Sequence, residues 1–88
     1  MDENSLSQLL RAEGFVNAYV WQDDPDAFHP DHTHVGDSAH IILAGEMSLT
    51  INGQTRTYRS GERCDVAAGT THSARIGLRG CRYLIGEK

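Results

Sequence analysis

Apolar and polar residues alternate with the period of a β-strand along most of the chain. Short apolar runs separated by turn residues predict strands at residues 39–43, 47–51, 54–59, 63–66, 72–76 and 82–85. An earlier run from Phe15 to Trp21 has the same β-rich character and ends at a polar turn, residues 23–26. Many short strands in a small chain indicate an all-β fold, either a sandwich or a barrel.

The first fourteen residues have a helical pattern instead. Residues 5–8 have the Ser-x-x-Gln form of a capping box, and Leu6, Leu9 and Leu10 share one stripe of the helix. Gly14 provides a stop, so we expect a short helix at about residues 5–13. A helix of this length is not stable alone, and its leucines must pack against the sheet or against a partner subunit.

The dipeptide Asn52-Gly53 predicts a tight hairpin, because both central residues of a type I′ turn need positive φ. A two-residue loop at this place also fixes the register of the two strands. The expected pairs are Ile51 with Gln54, Thr50 with Thr55 and Met47 with Tyr58.

Composition narrows the class of protein. The 88 residues suffice for one hydrophobic core, and no apolar run approaches the ~18 residues of a membrane helix. The net charge is −4 and the basic residues are scattered, so we expect no binding to nucleic acid or membranes. Acidic residues at the start, where a secretory signal would be basic, predict a cytoplasmic location. Cys64 and Cys81 are therefore not expected to form a disulfide framework.

Histidine provides the strongest sign of chemistry. His29, His32, His34 and His40 fall within twelve residues, and His72 stands apart. Residues two apart on a strand face the same side, so His32 and His34 can converge on one cation at about 2.1 Å each. Gly69 permits a tight turn that can bring His72 beside them as a third ligand.

Alternative interpretations stay open for several of these residues. Three unrelated histidines are the alternative to a metal site. His29, beside Pro30 and several acidic residues, is expected to be a solvated loop residue. His40 is either a fourth ligand or a partly buried histidine bonded to the backbone. The aromatic residues Trp21, Tyr58 and Tyr83 line a cavity or fill the core. The carboxylates Asp37, Glu46, Glu62 and Asp65 are expected to be solvated or turn residues.

Two motifs within residues 26–76 resemble those of the cupin superfamily. His32-Thr33-His34 and Gly45 match the first motif, and Gly61, Gly69 and His72 match the second at the family spacing. The resemblance implies a small antiparallel β-barrel, the double-stranded β-helix or jelly roll, with a metal ion in its mouth. It implies one domain over residues 1–88, with a helix and arm at 1–14 and the barrel at 15–88.

The sequence departs from the cupin pattern at four positions. Asp26, Ala67 and Ile76 replace a glycine, a proline and an asparagine. Ser38 stands where the family has a glutamate ligand, and a serine hydroxyl is a poor ligand for a divalent metal. His40 lies two residues further on with the same parity and can substitute if the strand shifts. A third interpretation, for which Ser38 is the argument, keeps the fold without the metal.

Three or four imidazoles suit one divalent transition metal ion (Zn, Fe, Ni, Mn or Cu) better than Mg or Ca. The resemblance then implies a metal-dependent enzyme, a dioxygenase, isomerase or lyase, acting on a small molecule chelated in the barrel. The alternative is a non-catalytic cupin that binds a metal or small ligand as a sensor or regulatory module, since a fold does not select a function. The helix and the β-rich arm resemble elements through which cupins associate, which predicts a homodimer.

Overall fold

The structure, a computed structural model, describes residues 2–88. Its elements are α1 (Glu3–Ala12), β1 (Asn17–Asp23), β2 (Phe28–His32), β3 (Ser38–Ile51), β4 (Gln54–Arg59), β5 (Arg63–Val66) and β6 (His72–Glu87). The strands form one antiparallel sheet in the order β1-β6-β3-β4, in which β2 also pairs with β6 and β5 with β3. The predicted all-β fold with a short N-terminal helix is confirmed.

Two long strands, β3 and β6, pair with each other and form the centre of the sheet. The sequence predicts each of them as two separate strands, and this is wrong because glycine bends the strands without ending them. Gly45 and Gly80 have φ of +79° and +78°, and the pairing of β3 with β6 shifts register on both sides of Ala44–Gly45. A Cβ atom on Gly45 would lie 2.1 Å from the carbonyl oxygen of Gly80, so only glycine fits this crossing.

The predicted hairpin between β3 and β4 is confirmed in its register. Its turn residues Asn52 and Gly53 have φ of 53° and 77°, as a type I′ turn requires. The three expected pairs all occur: Ile51 with Gln54, Thr50 with Thr55 and Met47 with Tyr58.

The two faces of β3 enter different cores, because successive side chains point to opposite sides of a strand. Ala39 and Ile41 face outward and pack with the helix and Leu84. Ile42 and Met47 face inward into the main core, which also holds Cys64, Val66, Ile76 and Tyr83. Ser38 and His40 share the parity of Ile42, so the strand directs both toward the interior.

The helix begins earlier than the sequence predicts. Asp2 is the N-cap and accepts a hydrogen bond from the Asn4 amide, so the cap expected at Ser5 is wrong. Leu6 and Leu10 are buried against the sheet of their own chain, whereas Leu9 is 49% exposed. The homodimer stays a prediction. Within the described residues, no helix has the length and apolar character needed to cross a bilayer.

Candidate metal centre

Three histidines from two parts of the chain meet at one end of the sheet. The ring centroids of His32 and His72 are 4.2 Å apart. The centroid of His34 lies 5.0 Å from that of His32 and 5.1 Å from that of His72. One ring nitrogen of each histidine lies within 4.8 Å of the corresponding nitrogen of the other two. The convergence expected from the sequence therefore occurs.

Backbone pairing brings these rings together. His32 is the last residue of β2 and pairs with His72, the first residue of β6. His34 lies two residues beyond β2, so the expectation that strand alternation aligns it with His32 is wrong. Instead, the amide of Gly69 donates a hydrogen bond of 2.9 Å to the carbonyl of His34. Gly69 has φ of +75°, which confirms the tight turn before His72.

Hydrogen bonds fix the tautomers of two of the three rings. His32 Nδ1 lies 2.8 Å from the carbonyl oxygen of Pro30, and His72 Nδ1 lies 2.9 Å from that of Thr70. Because a carbonyl oxygen only accepts hydrogen bonds, each Nδ1 carries a proton and donates. In the neutral ring, Nε2 then has the free lone pair that a metal requires.

The remaining features of the cluster also suit a metal ion. Burial lowers the pKa of His34, and the charges of His32 and His72 lower it further, so the ring tends toward its neutral, ligating form. Bonds of about 2.1 Å at a tetrahedral ion place two nitrogens ~3.4 Å apart. The nitrogens here lie within 4.8 Å of one another, so small side-chain rotations bring them to that spacing. The three histidines therefore suit a divalent transition metal ion.

His40 lies outside this cluster but lines the same cavity. Its ring is 6% exposed, and its Nδ1 is buried with no hydrogen-bond partner among the described residues. Burial lowers its pKa to about 4, helped by the charges of His72 and His34 and opposed by the nearby backbone of Cys64. Ser38, which is 1% exposed, also has an unpartnered buried hydroxyl. Two polar atoms without partners thus lie on the inner face of β3.

The histidines open into a cavity of about 220 Å³. Its aromatic walls are Tyr19, Trp21 and Tyr83, and its aliphatic walls include Met47, Leu49 and Ile85. Tyr58 does not line it and packs against the core instead. A half-enclosed apolar cavity with a few polar groups is typical of a small-molecule site.

A second polar cluster centres on Asp23, which lies beside the cavity and binds three residues of the cavity wall. Its carboxylate accepts hydrogen bonds from His29 Nε2 at 2.8 Å, from the Tyr83 hydroxyl at 2.8 Å and from Trp21 Nε1 at 3.0 Å. Burial raises the pKa of Asp23, but these three hydrogen bonds outweigh it and keep the pKa below its usual range. Burial and the Asp23 carboxylate together raise the pKa of Tyr83. His29 belongs to β2 and lines the cavity, so the expectation of a solvated loop residue is wrong.

Solved structures place this architecture in a known group. A cupin superfamily protein from Desulfitobacterium hafniense superposes with a TM-score of 0.72 at 18% identity, over 80% of this chain and 63% of its own. A cupin-2 domain-containing protein from Shewanella frigidimarina gives a TM-score of 0.70 at 20% identity, over 80% and 67%. The chain has the cupin fold. The resemblance seen in the sequence is thereby confirmed.

A solved structure of an enzyme is also similar to this chain. The DMSP lyase DddQ from Ruegeria pomeroyi is 26% identical with a TM-score of 0.72, over 81% of this chain and 37% of its own. The chain therefore spans about two thirds of the length of the first two proteins and about a third of the lyase. No protein-family profile and no curated protein sequence matches it.

The other reactive side chains of the protein have structural roles. Asp37 accepts a hydrogen bond from the Ala68 amide, and Glu62 accepts one from the Arg59 amide. Glu46 and Asp65 pair with arginines. Cys64 and Cys81 are buried free thiols whose pKa burial raises, to about 11 for Cys81. None of these six residues lines the histidine cavity.

Proposed function

We propose that this cupin binds one divalent transition metal ion through His32, His34 and His72 and is a metal-dependent enzyme acting on a small molecule in the cavity. One observation carries the metal site. Two of the three converging rings donate their Nδ1 protons to backbone carbonyls, which leaves Nε2 to coordinate. His40 is proposed as a weaker, additional ligand, because its buried Nδ1 has no partner.

Catalysis requires a group that moves a proton beside the bound molecule, and the His29–Asp23 pair is suited to this. Asp23 fixes His29 through Nε2, which leaves Nδ1 of the same ring available to exchange a proton with a molecule in the cavity. A bound metal ion would supply Lewis acidity and open coordination positions for that molecule. The reaction classes that this arrangement supports are those of oxygenases, isomerases and lyases. DMSP lyase activity should be assayed first, because the lyase DddQ is among the similar structures.

The alternative function is a non-catalytic sensor or regulatory module that binds a metal or small ligand. It is favoured by the walls of the cavity, where no carboxylate appears among the described residues and the Tyr83 hydroxyl is already bonded to Asp23. The two functions differ in what His29 does. Replacing His29 by Ala abolishes turnover but leaves metal affinity unchanged if the protein is an enzyme.

The metal site is tested by thermal unfolding with and without a chelator, at pH 7.5 and pH 5.5. We expect the chelator to lower Tm at pH 7.5 and to have much less effect at pH 5.5, because protonated imidazole does not coordinate. Elemental analysis of protein purified without an affinity tag identifies the ion. The same Tm with and without chelator at both pH values would remove the metal from the proposal. H72A is the matched control and should not respond to the chelator.

A further inference from the structure

We infer that the molecule bound at this centre is a small anion that coordinates through oxygen, such as a short carboxylic acid with an apolar body. The inference rests on the proposed metal site and specifies the chemical class of its ligand. It follows from the charge, the walls and the volume of the cavity.

The ligand set carries no negative charge. His32, His34 and His72 are imidazoles, which coordinate in their neutral form, and so does His40. A divalent ion held by these rings alone keeps two positive charges in a cavity with largely apolar walls. Uncompensated charge in such surroundings is costly, so an anionic ligand is strongly favoured over a neutral one.

Among the described residues, no carboxylate lines the histidine cavity to cancel that charge. Asp23 keeps its negative charge, but the carboxylate is directed at its three hydrogen-bond donors and does not line the cavity. Glu87 pairs with Ser38 across the strands and lines a neighbouring cleft with His34 and Ser38. It does not belong to the histidine cluster. Even if its full charge is counted, the centre keeps a net positive charge with a divalent ion.

The size and the walls of the cavity limit the body of the anion. A volume of about 220 Å³ corresponds to roughly seven non-hydrogen atoms, at ~30 Å³ for each water-sized group. Met47, Leu49 and Ile85 provide an aliphatic wall, and Trp21 and Tyr19 provide an aromatic one. A carboxylate directed toward the histidines thus leaves an apolar body against these walls.

The test compares acetate with acetamide, which has nearly the same shape and no charge. The protein is loaded with Co²⁺, and binding is followed by the visible absorption of the ion and by the fluorescence of Trp21, the single tryptophan of the chain. We expect saturable spectral changes with acetate at concentrations about tenfold or more below those that acetamide requires. H72A, which lacks one ligand, should show no change with either compound.

A second variant tests the charge argument without altering the histidines. E87Q removes a carboxylate that lines the neighbouring cleft together with His34, so it should bind acetate more tightly than the wild type does. If the wild type takes up no Co²⁺, the proposed metal site fails. If it takes up Co²⁺ but acetate and acetamide act alike, or E87Q binds acetate more weakly, the inference of an anionic ligand is overturned while the metal site stands.

Discussion

Acid should destabilise the metal-free protein through His40. This ring is buried in the inner face of the sheet, and burial is the main reason that its pKa falls to about 4 from an ordinary value of 6.5. Between these two pH values the unfolded chain binds a proton that the folded chain does not. The free energy of unfolding is therefore full above pH 6.5 and decreases as the pH falls toward 4.

The size of the effect follows from the two pKa values. For one group with a pKa of about 4 when folded and 6.5 when unfolded, the stability lost between pH 7.5 and pH 5.0 is about 2 kcal/mol. His40 is 6% exposed, so solvent screening does not reduce this value substantially. His34, whose pKa is also lowered, adds a loss of the same sign.

Urea unfolding in the presence of a chelator, at several pH values between 7.5 and 4.5, measures this loss. H40Q cannot take up the proton, so its free energy of unfolding should decrease less over this range, by about 2 kcal/mol at pH 5.0. S38A alters a buried side chain on the same face of β3 without removing an ionisable group and is the matched control, with the pH dependence of the wild type. Equal losses in the wild type and H40Q would refute the assignment of a buried neutral ring.

Three further predictions concern single side chains. H40A should lower metal affinity less than H34A does in titrations with Zn²⁺, because His40 lies outside the cluster; an equal loss would make it a full ligand. L10A should cost about 2–5 kcal/mol in urea unfolding, because Leu10 is fully buried between helix and sheet; a loss below 1 kcal/mol would contradict this packing. D23A should cost more than Y83F, about 1–3 kcal/mol against about 1 kcal/mol, because the first change leaves three donors without their acceptor and the second removes one bond. The reverse order in denaturation would argue against the cluster.

Local signals in the sequence were sufficient for part of this fold. Asn52-Gly53 determines its hairpin because the turn type demands positive φ at two adjacent residues, and the register of both strands follows. The strand ends at Gly45 and Gly80 were predicted wrongly for a physical reason. In a sequence, a glycine that bends a strand looks the same as a glycine that ends it. Here the close approach of the two backbones favours the bend, and this tertiary contact is not visible in the sequence.

The candidate site was predictable where its spacing was distinctive. His32, His34 and His72 were selected by their spacing and by the glycine turn, although the backbone contact at Gly69 that aligns His34 was not foreseen. The pairing of His29 with Asp23 could not be predicted, because it depends on how β1 and β2 each pair with β6. Asp23 was interpreted as part of a polar turn; its position two residues after Trp21 on the same strand is the sequence signal that could have linked it to this cluster.

The hydrogen bond from the Gly69 amide to the His34 carbonyl holds His34 near His72 through the main chain. The entropy cost of bringing these two residues together is therefore part of folding. His34 and His72 are 38 positions apart in the sequence (72 − 34), and closing a loop of that length costs ~3 kcal/mol. Because main-chain pairing closes this loop, the cost reduces the free energy of folding and not that of metal binding. The proposed metal site is then preorganised by the fold, unlike that of a zinc finger, which folds only around its ion. On the proposed function, the three rings would therefore stay gathered after the ion has left.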